Sequence, residues 1–319
     1  MSKFTNTIVE KLKSKNLTDS TINAYLRNLK KLNNDEDLKN FNFLSNCDET
    51  VKKMSKLSDN TKKGYYISIC SVLKQFSDDK KIEKLYNCYF EHMKKIRDEI
   101  KKIPANKLSE TQNDNWVNYD DMVKKNNELH EIVNQFAKNK SINETQYNYL
   151  LSFMILSLYI IERPRRNADY LLMNIVKKWN TNKDDKLNYL DLDDKQFIFN
   201  QFKTKKTEGQ QILKYSNELN NVIMIYLKFR LKDKINNKLD VPFLVKYNGE
   251  PLRKNINSIT LILNKIFKPK KVSSSMIRHA RNTEKLAPLL EKIKDDAKAM
   301  AHSPQMALDY IKDISGLQT

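Results

Sequence analysis

Asn188-Tyr-Leu-Asp-Leu-Asp193 and, just after it, Lys195-Gln-Phe-Ile-Phe-Asn-Gln-Phe202 alternate polar and apolar residues. A period of two sends successive side chains to opposite faces, so the pattern predicts two strands. A turn around Thr207-Glu-Gly209 leads into Gln211-Ile-Leu-Lys-Tyr215, a third strand, with Lys203-Thr-Lys-Lys206 at or beside the turn. Elsewhere the pattern is helical. Ile22, Tyr25, Leu26, Leu29 and Leu32 recur at helical spacing behind the polar start Leu17-Thr-Asp-Ser-Thr. Leu57-Ser-Asp-Asn-Thr-Lys-Lys-Gly-Tyr65 repeats that start 40 residues on, and Glu83 to Lys101 forms a further helix. Downstream, helices are expected at 119–138, 143–161, about 165–177 with Pro164 at its first turn, 217–234, 255–267, 274–285, 288–301 and 303–313. The expected fold is mainly α with one small antiparallel β-sheet (α+β). Its parts are an N-terminal helical domain at 1–100, a linker at 101–118 marked by Pro104 and the polar run Ser109 to Asn115, and a second domain at 119–319.

The chain has 319 residues and a net charge of +19, from 58 Lys and Arg against 39 Asp and Glu. That excess points to a polyanionic partner. Cys47, Cys70 and Cys88 show no CxxC spacing, so neither a disulfide framework nor a Cys-rich zinc site is expected, and a reducing intracellular compartment is. The four histidines do not pair at metal-ligand spacing, and the four glycines form neither a GxGxxG nor a Walker A loop. No metal and no nucleotide cofactor are therefore expected. The N-terminus MSKFTNTIVEKLKSK lacks the apolar core of a signal peptide. The apolar stretch Tyr149 to Ile161 is too short to span a bilayer and reads as a buried helix, so no membrane role is expected.

Nine arginines stand among 49 lysines, and five of the nine fall in two clusters, Arg163/Arg165/Arg166 and Arg278/Arg281. A guanidinium holds phosphate bidentately, which an ammonium cannot copy. Four elements follow in order: Arg166-Asn-Ala-Asp169-Tyr-Leu-Leu-Met, Phe202-Lys203-Thr204, Met276-Ile-Arg278-His279, and Met300-Ala-His302-Ser303 with Tyr310 eight residues after the histidine. In this order and spacing they resemble the tyrosine recombinase (phage-integrase-like) family. Its pattern is an R-x-x-[ED] box, a β-hairpin Lys, an H-x-[LI]-R-H box, a G-H-S box and a nucleophilic Tyr. Arg165 is the alternative to Arg166 in the first box; Arg166 is preferred because Asp169 lies three residues on. The chain departs from the pattern at Ser275, where His or Lys is usual, at Ala301, where Gly is usual, and in a His-to-Tyr interval one residue short.

The resemblance implies a DNA-clamping core-binding domain at the N-terminus and a catalytic domain after it. It implies cleavage and rejoining of double-stranded DNA by metal-independent transesterification through a 3′-phosphotyrosyl bond, by a homotetramer on two duplexes. A type IB topoisomerase, or a catalytically impaired DNA-binding accessory protein of the same fold, is the alternative. Arg166 and Arg278 would grip the phosphate, Lys203 would protonate the leaving 5′-oxygen, His302 would donate a hydrogen bond, and Tyr310 would attack. Ser275 occupies a general acid-base position. Arg165, Lys205, Lys206 and Arg281 would contact the phosphate backbone. Integration of a mobile element or viral genome is the task class this implies.

Overall fold

The computed structural model describes residues 2–104, 107–230 and 240–311, and the chain divides into two compact units, Met1–Lys107 and Leu108–Thr319. The division falls inside the stretch expected as a linker. Part of that stretch is ordered into a short helix of the second unit, Glu110–Asp114, opened by a reciprocal capping box of Ser109 and Gln112.

The first unit contains α1 (Lys3–Lys13), α2 (Asp19–Leu32), α3 (Cys47–Lys53), α4 (Asp59–Leu73) and α5 (Lys80–Lys102). The two similar sequence stretches are the starts of α2 and α4. Thr18 and Ser58 are the N-caps, accepting from the backbone N–H of Thr21 and Thr61, and Asp19 and Asp59 sit in the first turns. There a carboxylate meets the positive end of the helix dipole. Behind these caps Ile22, Leu26, Leu29, Ile69, Val72 and Leu73 are buried with Ile8, Leu12 and Tyr89 in one core. Each such aliphatic side chain contributes about 1.5–3 kcal/mol by leaving water. Asn28 donates to Ser68 Oγ at 2.9 Å, tying α2 to α4. One expectation is corrected here: Cys47 and Cys88 are joined by a disulfide, 41 residues apart in sequence. Spacing along the chain could not show this pairing; the packing of α3 on α5 creates it.

The second unit adds α6 (Glu110–Asp114), α7 (Tyr119–Asn134), α8 (Glu144–Ile160), α9 (Asn167–Leu171), α10 (Lys205–Glu208), α11 (Asn217–Phe229), α12 (Ser258–Ile266), α13 (Ser274–Ala299) and α14 (Pro304–Asp309). Its strands are β1 (Met173–Val176), β2 (Asn188–Asp191), β3 (Gln196–Phe199), β4 (Gln211–Lys214) and β5 (Val241–Pro242). Helix α8 is apolar on nearly every side and buries residues from Tyr147 to Tyr159, packed by α7 and α11. Among the described residues no helix is long and apolar enough to cross a membrane.

The sheet has the order β4-β3-β2-β1-β5 and is mixed, not purely antiparallel: β1 and β2 run parallel, with Met173 opposite Asn188. The helix expected over about 165–177 stops after five residues and gives way to β1. Every residue of β1 is buried, and its Met-Asn-Ile-Val is too short to set an alternation apart from the apolar pattern of α9 that it continues. A strand buried on both faces cannot be told from a helix by period alone. The helices expected at 274–285 and 288–301 are a single helix, α13, with Pro288 inside it. Pro288 removes one N–H from the ladder, but helix formers on both sides (Lys285-Leu-Ala287 and Leu289-Leu-Glu-Lys292) carry the helix through. The part of the expected helix 217–234 beyond Arg230, and that of 303–313 beyond Ile311, lie outside the described residues.

Candidate phosphate-binding site

Arg166 is the N-cap residue of α9, with extended backbone geometry behind Pro164. Arg278 lies near the start of α13 and donates from Nε to the Ser274 carbonyl at 3.4 Å. These residues are 112 positions apart in sequence, yet the charge of one is felt at the other. Burial lowers the pKa of Arg278, and the charge of Arg166 lowers it further, while Tyr159 and Asp169 oppose the shift. Tyr159 is fully buried, held neutral by a pKa pushed far above the phenol range, and donates to Asn167 Oδ1 at 2.7 Å. Asn167 donates onward to Thr260 Oγ1 at 2.9 Å. This chain of bonds ties the start of α9, next to Arg166, to α8 and α12.

Asp169 was expected to partner Arg166. Its carboxylate instead accepts from Arg165 Nε at 2.9 Å, while Arg166 offers it charge and a backbone bond. Burial still raises the Asp169 pKa against both arginines, and its Oδ1 has no hydrogen-bond partner. Three guanidiniums thus share one carboxylate. Arg165 is already used, because its Nη1 also donates to Gln211 Oε1 at 2.8 Å and its guanidinium lies 3.7 Å from the Phe199 ring centre and 5.2 Å from that of Phe202. Arg165 thereby joins Asp169 of α9 to Phe199 of β3, Phe202 after it and Gln211 of β4. Among the described residues neither Arg166 nor Arg278 forms a salt bridge, and the charge of Arg166 reaches Arg278.

The β3–β4 connection carries Lys203, exposed, directly after Phe202. Two residues hold its base. Arg165 covers Phe202, and Asn188, wholly buried at the start of β2, uses all four of its amide bonding positions. Asn188 Nδ2 donates to the carbonyls of Asp169 (2.7 Å) and Gln201 (3.0 Å), and Oδ1 accepts from the N–H of Asn200 (2.8 Å) and Gln201 (2.7 Å). Neither Asn188 nor Gln211 was singled out from sequence; both look like ordinary strand residues until the partner segment is known. Lys206 is exposed, Lys205 Nζ lies 3.8 Å from Asp185, and Arg281 lies against the buried Tyr119 hydroxyl, opposing the upward pKa shift that burial gives it. Ser275 and His279 are exposed on α13 beside Arg278.

His302 and Tyr310 form a separate pair. Their rings stack with centres 5.2 Å apart at 13°, Tyr310 is 62% exposed, and His302 Nδ1 is buried without a hydrogen-bond partner. The local sequence explains the placement. Helix α13 ends in a Schellman motif: His302 N–H donates to the Ala297 carbonyl and Ala301 N–H to that of Lys298. Ala301 consequently has φ 56°, in the left-handed region, which accounts for the glycine usual at this point of the motif. Ser303 then caps α14 through the Met306 N–H, with Pro304 at its first position.

The structure does not bring this pair to the arginines. Arg278 and Ala299 are 21 residues apart on one helix, about 30 Å at the α-helical rise. From Lys285 to Asp296 no residue of α13 is buried. Leu286, Leu289, Leu290, Met300, Met306 and Ile311 are all exposed along this arm. Positive charge belongs to both units: residues 1–107 hold 23 Lys and Arg against 14 Asp and Glu, and residues 108–319 hold 35 against 25. No family model, curated protein or solved structure matches the chain.

Proposed function

We propose that the chain cleaves and rejoins double-stranded DNA as a site-specific tyrosine recombinase. The observation that carries this reading is the Arg166–Arg278 pair: two cations from distant parts of the sequence, each within electrostatic reach of the other, while the nearby Asp169 carboxylate is bonded by Arg165. The net charge of both units supports a DNA partner, since each neutralised phosphate releases counterions. In the proposed reaction Tyr310 Oη gives its proton to solvent and bonds to phosphorus, while the bond from phosphorus to the 5′-oxygen breaks and that oxygen takes a proton from Lys203. The product is a 3′-phosphotyrosyl ester, reversed when another 5′-hydroxyl attacks. Arg166 and Arg278 would hold the non-bridging oxygens as negative charge grows on them. Loss of one such donor costs roughly 3–4 kcal/mol of barrier. A phenol with a pKa of about 10 is a poor nucleophile near neutral pH, so positive potential from the arginines is part of the same proposal, with His302 as a hydrogen-bond donor to the phosphate.

The length of α13 adds a requirement. Tyr310 meets the arginine pair either by bending of the arm at Pro288 or by delivery from a second copy of the chain, and the exposed apolar side chains of the arm favour the second copy. The homotetramer on two duplexes belongs to this proposal. The same separation is also what a DNA-binding accessory protein without strand transfer would show. A duplex library carrying nicks, incubated with the protein in EDTA and without ATP, distinguishes the two. The recombinase reading requires a covalent complex that is lost in Tyr310→Phe and mapped to Tyr310 by peptide sequencing. Absence of that adduct across the library, or its dependence on a divalent metal, overturns it.

A further inference from the structure

We propose that Cys47, Cys88 and His92 form a zinc site in the first unit, open when the two cysteines are reduced and closed when they are joined as a disulfide. The inference is independent of the DNA reading. Cys88 and His92 are four residues apart near the middle of the 23-residue helix α5, so both project from one face on a rigid backbone. Cys47, at the start of α3, meets that face. The two sulfurs and an imidazole nitrogen all lie within 4.8 Å of one another. All three residues are half-buried, so an ion can reach them while part of its water shell is stripped. A surface cleft lined by Asp48, Tyr66, His92 and Glu99 opens at the same place, and the His92 ring is stacked on Tyr66 at 6.0 Å.

Two thiolates and an imidazole are a donor set suited to zinc, and three protein ligands leave a fourth position for water or a neighbouring carboxylate. A disulfide cannot serve, because each sulfur must carry a thiolate charge to bind the ion. The two states therefore exclude one another. Reduction by a cellular dithiol transfers two electrons and two protons, giving two thiols and the reductant's own disulfide. Zinc binding then releases both thiol protons to solvent, and His92 binds through a neutral nitrogen. Either state ties α3 to α5, so the helical unit keeps a cross-link at that point whatever the redox poise. Cys70 is excluded from this chemistry, since it is buried and burial pushes its thiol up to about 12.

The test uses the full chain, reduced with a phosphine, equilibrated with Zn²⁺, desalted, and assayed for metal by mass spectrometry. Wild type and Cys70→Ser should each retain one zinc per chain, and Cys47→Ser should retain none. Oxidised wild type should retain none and should show one free thiol after denaturation. His92→Asn should weaken zinc binding by roughly ten- to a hundredfold. Co²⁺ in place of Zn²⁺ should give a thiolate-to-metal charge-transfer band in reduced wild type only. The oxidised and reduced comparison needs no substitution, so a misfolded variant cannot decide the result. Failure of the reduced chain to bind Zn²⁺ more tightly than about 1 μM, or equal uptake by Cys47→Ser, overturns the proposal.

Discussion

Replacing Asn188 by Ala tests the link between the fold and the proposed site. The Asn188 amide makes four hydrogen bonds of 2.7–3.0 Å while fully buried, to Asp169 on α9 and to Asn200 and Gln201 at the base of the Lys203 connection. Truncation deletes all four and strands two carbonyls and two N–H groups. A buried polar group left without a partner costs about 1–3 kcal/mol. Asp169 and Asn200 are themselves buried, whereas Gln201 is half-buried and open to water, so roughly two groups bear the full cost. The expected loss is about 3–5 kcal/mol, at the upper end for a single substitution. Both tryptophans, Trp116 and Trp179, lie in the second unit, so tryptophan fluorescence in urea follows that unit alone. With a slope of about 2 kcal/mol/M, the midpoint should fall by roughly 1.5–2.5 M at unchanged slope. Asn188→Asp keeps the two accepted bonds but turns a carboxylate toward two carbonyls, and should be no better than Ala. A midpoint shift under about 0.5 M would mean that the amide does not join α9 to the connection, and the positioning of Lys203 would lose its physical basis.

Ala301→Gly should stabilise the end of α13 by about 1 kcal/mol, because Ala301 holds φ 56° where a Cβ is unfavourable; slower hydrogen exchange at the His302 amide, which closes the Schellman motif, would show it. Burial raises the folded-state pKa of Asp169 above its unfolded value of about 4, so its contribution to stability is complete below that pH and is lost as pH rises through the folded value. The stability of wild type relative to Asp169→Asn should therefore decline from about pH 4 upward, and a difference that rises instead would show that the Arg165 pair outweighs burial. In the proposed reaction, mixing Arg278→Ala with Tyr310→Phe should restore part of the covalent adduct that each lacks alone; no restoration would place the nucleophile and its arginines in one copy and demand a bend at Pro288.

What could be read along the chain was whatever repeats or alternates locally. The helix starts at Leu17-Thr18-Asp19 and Leu57-Ser58-Asp59 were legible because a cap and a first-turn carboxylate are short-range devices. Strands β2 to β4 were legible from alternation and the turn residues between them. Strand β1 was not, since its four residues follow α9 after a single residue and extend that helix's apolar spacing, and β5 is too short to carry a period. The disulfide and the partnership of Arg165 with Gln211 escaped for a different reason. They join segments 41 and 46 residues apart, and only the packed structure makes them neighbours. The choice of Arg166 over Arg165 rested on Asp169 three residues on, but four residues on a helical turn is equally adjacent, and that neighbour is Arg165.

Net charge alone indicates a polyanion, and the arrangement of the arginines narrows what that polyanion offers. A surface lysine field grips phosphates anywhere along a duplex, without preference for one of them. Two guanidiniums within electrostatic reach of one another differ, because an oxyanion bound by both offsets their mutual repulsion. The Tyr159–Asn167–Thr260 chain and the Arg165–Asp169 pair hold the segment that carries Arg166. In the proposed enzyme Arg166 and Arg278 are the cations that meet the phosphate. The Tyr310 arm follows the opposite design: α14 has no buried residue, and its apolar side chains face solvent in the single chain. In the proposed enzyme the rigid half would bind one phosphate, and the projecting half would bring the nucleophile only once a second copy covers that apolar face. Cleavage would then be coupled to assembly by the length of α13, so that an isolated chain on DNA holds a phosphate without breaking the strand.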